Sequence, residues 1–200
     1  ADGNKAYVSD GTAGLHIVDV TNPASPVSWG ILNMGGEAVG MVLSENGIKA
    51  YIAARQGGFV IANVSDAANL YVYGSLSNSL SVESVALSLD QRTAYLASGG
   101  FGVLVVDVSY SFEPTLTDIF STGSDASDLV LSSDGSKAYV ANGFAGLKII
   151  GIQNTSISAL GDFRVSADLQ TDTLNVVLSS DGTKAYLADR FNGLQIIDVV

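Results

Sequence analysis

The chain carries "LSSDGSKAYVANGFAGLKIIGI" at residues 131–152 and, forty-seven residues further on, "LSSDGTKAYLADRFNGLQIIDV" at 178–199. Sliding the sequence against itself turns this pair into a series. An Ala-Tyr dipeptide places its tyrosine at Tyr7, Tyr51, Tyr95, Tyr139 and Tyr186, at spacings of 44, 44, 44 and 47 residues. A glycine keeps step at Gly14, Gly58, Gly102, Gly146 and Gly193. The motif closes on "IVDV" (17–20), "IANV" (61–64), "VVDV" (105–108), "IIGI" (149–152) and "IIDV" (196–199). Five copies in register identify a repeat architecture.

Every unit has the same internal grammar. An apolar run opens it ("GMVLS" 40–44, "SVALS" 84–88, "DLVLS" 128–132, "NVVLS" 175–179). A tight-turn pair follows at Asn46-Gly47, Asp134-Gly135 and Asp181-Gly182, residues that tolerate the positive φ of short hairpins. Then come "KAYVA" or a variant, a glycine-containing loop, and "GLKII" or a variant. A less regular fourth segment ends the unit ("PVSWGIL" 26–32, "LYVYGSL" 70–76, "PTLTDIF" 114–120, "ISALGDF" 157–163). No stretch of helical length shows a helical period. Four short strands in about 44 residues are the pattern of a β-propeller blade. In "GLHIVDV" both alternating sets are apolar, Leu15 with Ile17 and Val18 with Val20, as a sheet covered on both faces requires. We therefore expect an all-β, single-domain propeller over 1–200. Its units are 1–36, 37–80, 81–124, 125–171 and 172–200, with Leu15, Ile17, Val60, Leu104, Val106, Leu147, Ile149, Leu194 and Ile196 packed between blades.

Composition narrows the function classes. Nine basic and twenty acidic residues give a net charge of −11, a surface that repels nucleic acid and anionic lipid. Cysteine is absent and histidine occurs once, at His16, which removes thiol chemistry and makes a zinc centre untenable. No apolar run is long enough to span a membrane as a helix.

The segments "KAYVSDGTAG" and "GLHIVDVTNPASPV" (14–27), with "GLQIIDV" (193–199), resemble the LVIVD repeat of bacterial and archaeal propellers. The resemblance covers essentially the whole chain, although "FVIANV" (59–64) and "LKIIGI" (147–152) lose the aspartate. It implies an extracellular or cell-surface scaffold with no catalytic motif of its own.

Naming the strands of a blade a to d from the inside outward, residue 1 falls in an a–b turn and the sequence runs out after a strand c. The first unit thus has b-c-d and the last a-b-c, eighteen strands in all. The two remnants duplicate b and c, so they cannot merge into one blade. The chain is expected to be a piece of a longer propeller, or to have its open edges covered by a strand of another chain, because bare edges aggregate.

Candidate chemistry is sparse. His16 sits inside strand c and reads as a packed or surface residue rather than one of a Ser-His-Asp set. "SGGFG" (98–102) and "NGFAG" (142–146) join strand to strand and lack the following helix that a phosphate cradle needs. Asp19, Asp107 and Asp198 are expected to cap the turns that follow them. Aligned copies place Glu37, Ser81, Asp125 and Asp172 at one position where strand a begins, and Gly40, Ser84, Asp128 and Asn175 three residues on. Glu37, Asp125, Asp128, Asp172 and Asn175 are accordingly a candidate cation site at a channel mouth, with calcium the candidate ion; a solvated mouth is the plainer reading. Arg55 and Arg190 are placed to pair with these carboxylates. Asn63 ("NVS") and Asn154 ("NTS") are glycosylation candidates. The expected function is a non-catalytic structural, adhesion or interaction module, not an enzyme and without a cofactor. Its partners would be protein, glycan or copies of itself, with neither nucleic acid nor membrane insertion. The alternative is a calcium-dependent propeller hydrolase or lactonase with its site at the channel mouth.

Overall fold

A computed structural model describes residues 3–77, 80–153, 156–164 and 170–199. Among these, eighteen strands form five antiparallel sheets and no helix occurs, so no helix is long and apolar enough to cross a membrane. The fold is a β-propeller of five blades. The first sheet holds β1 (Lys5–Ser9), β2 (Leu15–Asp19) and β3 (Val27–Leu32). The second holds β4 (Gly40–Leu43), β5 (Lys49–Ala53), β6 (Phe59–Asn63) and β7 (Tyr71–Leu76). The third holds β8 (Ser84–Leu87), β9 (Thr93–Ala97), β10 (Val103–Asp107) and β11 (Thr115–Phe120). The fourth holds β12 (Asp128–Leu131), β13 (Lys137–Ala141), β14 (Leu147–Gln153) and β15 (Ser156–Phe163). The fifth holds β16 (Thr173–Leu178), β17 (Lys184–Asp189) and β18 (Gly193–Asp198). Strands follow one another in sequence order across each sheet. The chain groups into two compact units, residues 1–85 with 108–115, and 86–107 with 116–200.

The repeat tyrosines are structurally equivalent. Each pairs across its hairpin with the aliphatic residue at one repeat position: Tyr7 with Ile17, Tyr51 with Ile61, Tyr95 with Val105, Tyr139 with Ile149 and Tyr186 with Ile196. A register shift recurs just beyond that position, between Ile17 and Val18, Ile61 and Ala62, and Ile149 and Ile150. Opposite it lie Gly30, Gly74 and Gly161. In the first unit a Cβ on Gly30 would stand 2.1 Å from the Ala67 carbonyl oxygen, so the bulge admits the loop of the next blade.

Two-sided burial is visible strand by strand. In β13, Ala138 and Val140 enter a cluster with Tyr95, Val103 and Val105, while Tyr139 and Ala141 enter another with Val176, Ala185 and Leu187. In the first unit Leu15, Ile17, Ala50, Ile52 and Val60 share one cluster. The packing expectation holds for Leu15, Ile17, Val60, Leu104, Val106 and Leu147, all buried. It requires correction for Ile149, only half-buried, and for Leu194 and Ile196, which are 67% and 57% exposed. These last two lie on β18, the end strand of its three-stranded sheet, paired with β17 alone.

The a–b hairpins are closed by a serine clasp repeated four times. Ser132 Oγ donates to Asp134 Oδ1 at 2.6 Å and accepts from Lys137 N at 3.0 Å, while Ser136 N donates to the same carboxylate at 3.0 Å. Ser179, Asp181, Thr183 and Lys184 repeat it, as do Ser88, Asp90, Arg92 and Thr93. Ser44 and Asn46 make the neutral version. The serine hydroxyl first, and the backbone N–H next, hold the Asp134 and Asp181 carboxyls down at about 2.

Two outcomes follow from this geometry. Gly58 and Gly146 combine a left-handed backbone (φ 78° and 81°) with a carbonyl 2.2 and 2.3 Å from where a Cβ would stand. Gly193 has φ 68° but open space around it. Both Gly146→Ala and Gly193→Ala bear the backbone penalty of about 1–3 kcal/mol; Gly146→Ala adds an overpacking cost of roughly 1–3 kcal/mol. Urea denaturation should therefore find the first variant the weaker, and equal losses would refute the close approach. The second outcome concerns acid. A carboxyl whose folded pKa lies below its ordinary value stabilises the fold above that ordinary value and loses the contribution as pH falls toward the folded one. The double variant Asp134→Asn, Asp181→Asn should melt with a shallower pH dependence than the parent between about pH 4 and 2. Parallel curves would place the acid sensitivity elsewhere.

Candidate functional site

Three residues before each repeat glycine, the b–c turn reaches across to the segment that enters the next strand a. Gly11 pairs with Ala38, Arg55 with Val82, Gly99 with Ala126 and Gly143 with Thr173, each through two backbone hydrogen bonds of 2.9–3.2 Å. All four reaching residues adopt left-handed backbone, with φ of 51°, 42°, 48° and 49°. Three are glycine, as that conformation favours. The fourth is Arg55, where a side chain adds strain. Arg190 occupies the fifth copy of the position.

Both arginines turn onto strand-a carboxylates, as their placement in the sequence implied. In the first unit Arg55 Nη1 meets Glu37 Oε2 at 2.9 Å and Arg55 Nε meets Glu83 Oε2 at 3.2 Å. Ser81 Oγ donates to the other Glu83 oxygen at 2.7 Å. Glu37 foremost, then Glu83, push the guanidinium pKa further up. A cavity of about 340 Å³ lies beside the network, lined among others by Thr12, Asn33, Glu37 and Gln56. Its wall is drawn in by Gly36 and Gly57, where a Cβ on Gly36 would lie 2.7 Å from the Gly57 Cα.

In the second unit Arg190 Nη1 meets Asp172 Oδ2 at 2.9 Å. Asp128 Oδ2 accepts from Val176 N at 3.0 Å and Asn175 Nδ2 at 3.4 Å. Asp125 lies by the neighbouring b–c turns, 3.4 Å from where a Cβ on Gly100 would stand. Among the described residues no group of three or more His, Asp and Glu side chains is arranged to hold a metal ion. Of the expected cation-site residues Glu37, Asp125, Asp128, Asp172 and Asn175, Glu37 and Asp172 face arginine, and Asp128 accepts from Val176 N and Asn175 Nδ2.

The remaining candidates resolve as structural. Asp19 accepts from Thr21 N at 2.9 Å and Thr21 Oγ1 at 2.7 Å, the expected turn cap, and Asn63 does the same for Ser65. Asp198 instead pairs with Lys184. The Asn63 side chain is buried and its Nδ2, the atom a glycan would join, donates to the Tyr73 hydroxyl at 2.7 Å; the fold thus disfavours a glycan there. Asn154 lies outside the described residues. His16 is mostly covered, with Nε2 3.7 Å from Asp10 Oδ2. Sequence reasoning missed Glu83, Thr12, Asn33 and Gln56. It had a usable signal for the site in Arg55, which interrupts the Gly11, Gly99, Gly143 series.

The model of the LVIVD repeat family matches residues 1–33, 35–77 and 173–199, just over half of the chain. No curated protein sequence matches. Solved structures similar over the whole chain include the periplasmic gluconolactonase of Pseudomonas aeruginosa, with TM-score 0.83, 18% identity and 66% of that chain covered. A Bacteroides fragilis protein assigned as a 6-phosphogluconolactonase has TM-score 0.80, 16% identity and 65% coverage. A chain of the mitotic checkpoint complex has TM-score 0.79, 16% identity and 60% coverage, so the same fold also occurs within a protein assembly. The chain spans about two thirds of the length of the lactonase structures. At these identities the likeness concerns the fold. It nevertheless overturns the expectation that the chain is not an enzyme: that expectation rested on missing catalytic motifs, whereas lactonases share this fold.

Asp128→Ala would leave the part-buried Val176 N–H without its acceptor, at a cost of about 1–3 kcal/mol. Chemical denaturation should show that loss, and a neutral result would remove Asp128 from the frame of the site.

Proposed function

The chain belongs to the LVIVD-repeat family, and we propose that it is a propeller hydrolase that opens a lactone ring at the Glu37–Arg55–Glu83 rim. The observation that carries this reading is Arg55, held in left-handed backbone that glycine fills in three other turns, with its guanidinium paired to Glu37, a residue that lines a cavity. Departures from a repeat's local rule concentrate at functional positions. The likeness of this whole chain to about two thirds of a gluconolactonase and of a protein assigned as a 6-phosphogluconolactonase supports the reaction class.

The residues divide the chemistry as follows. Water attacks the lactone carbonyl carbon while the Glu37 carboxylate takes its proton. An Arg55 N–H donates to the carbonyl oxygen as negative charge builds there. The ring C–O bond then breaks, and the departing oxygen recovers the proton from Glu37, so lactone and water become one hydroxy acid. Glu83 and Ser81 hold the guanidinium in place. No step passes through a metal. An extracytoplasmic setting is part of the proposal, supported by the family resemblance and by the periplasmic origin of one similar structure.

The test is the rate of acid release from a sugar lactone in weak buffer. Glu37→Gln should lower kcat/KM by about 10²–10⁴-fold, the usual contribution of a general base. Arg55→Gly should abolish the acceleration while matching or exceeding the parent's melting temperature, because it restores the glycine of the other turns. A parent protein that releases acid no faster than buffer would sink the proposal.

A further inference from the structure

The same cavity has a charge character that bears on which lactone it takes, an inference that rests on the reading above for its substrate type. Among its lining residues Thr12, Asn33 and Gln56 are neutral and Glu37 is acidic; none is Lys or Arg. The neighbouring cation, Arg55, is committed to two carboxylates, Glu37 at 2.9 Å and Glu83 at 3.2 Å. One guanidinium against two carboxylates leaves the rim net negative, within a chain of net charge −11. Hydroxyl, amide and carboxylate groups together donate to and accept from vicinal hydroxyls. A phosphate dianion, in contrast, would meet the two carboxylates of Glu37 and Glu83, which outweigh the single guanidinium, and like charge at short range is strongly disfavoured. The volume of about 340 Å³ lies at the small end of ligand sites, fitting a single sugar-sized ring.

We propose that the cavity bounded by Thr12, Asn33, Glu37 and Gln56 is a specificity site that accepts an uncharged polyhydroxylated ring and rejects its phosphorylated counterpart. Glu83 is a specificity-determining residue in this arrangement. It does not touch the ring; it cancels the charge that Arg55 would otherwise offer to a phosphate. Selectivity thus comes from a carboxylate placed behind the arginine, and the discrimination should weaken in salt, because the rim is solvent-exposed and screened.

Calorimetric titration of the chain with gluconolactam, a ring that does not hydrolyse, and with its 6-phosphate tests this without relying on turnover. The neutral ring should bind at least 10-fold more tightly at low ionic strength, and the ratio should fall as salt is raised. Glu83→Gln should raise the phosphate's affinity about 10-fold relative to that of the neutral ring. Equal or tighter binding of the phosphate by the parent, or no binding of either ring, would overturn the inference. Selective binding without any acid release from the lactone would instead overturn the hydrolase reading and leave the specificity site standing.

Discussion

Burying both faces of every sheet is the constraint from which most of this molecule follows. A strand covered on one side can alternate apolar and polar residues; a strand covered on both cannot. β5, β9 and β13 therefore put one small and one large apolar residue on each face, as Ala-Tyr-Ile-Ala, Ala-Tyr-Leu-Ala and Ala-Tyr-Val-Ala, each buried. An alanine beside a larger residue on each face lets adjacent sheets interdigitate at close-packed density. Burial pushes the Tyr51 and Tyr95 hydroxyls up from their ordinary pKa. Such a demand leaves little room for polar side chains in the strands, so charge and hydrogen-bonding capacity move to the turns.

The turns are governed by close approach. Gly14, Gly58, Gly102 and Gly146 each put their backbone against the last carbonyl of the same sheet's outer strand, at distances no side chain tolerates. That contact holds the b–c turn steady, and the bridge three residues earlier ties it to the entry of the next strand a. The result is a rigid platform made from backbone. Arg55 uses this platform: bridged to Val82 on both sides of its peptide, it can hold a strained φ and project a guanidinium at fixed carboxylates. A charged network mounted on irregular loops would lack that rigidity. Exposed ion pairs of this kind contribute little to stability, which fits a role in recognition better than one in folding.

Acidic residues in this chain do different work according to their neighbours. Asp134 and Asp181 close hairpins, Asp19 caps a turn, Asp128 caps a strand of the next blade, and Glu37, Glu83 and Asp172 face arginine. One residue type thus serves as clasp, cap and counter-ion. Composition alone sees only a charge of −11.

The sequence by itself determined the repeat, its period, the eighteen strands and their order, because the contacts that select them are local hairpins and two-sided burial, and both leave a periodic trace. The equivalence of the repeat tyrosines and the Asn-Gly and Asp-Gly turns were legible for the same reason. Arg55 and Arg190 facing the strand-a carboxylates were legible from aligned copies. Three things were not. The bulges opposite Gly30 and Gly74 depend on the loop of another blade pressing in, a contact between residues far apart in the chain. The backbone partner of Asp128 was not legible because Val176 N lies 48 residues away, on a strand of the next blade. Glu83 and the cavity beside Glu37 were invisible because they join residues from four separate segments, and only the tertiary structure decides which segments meet.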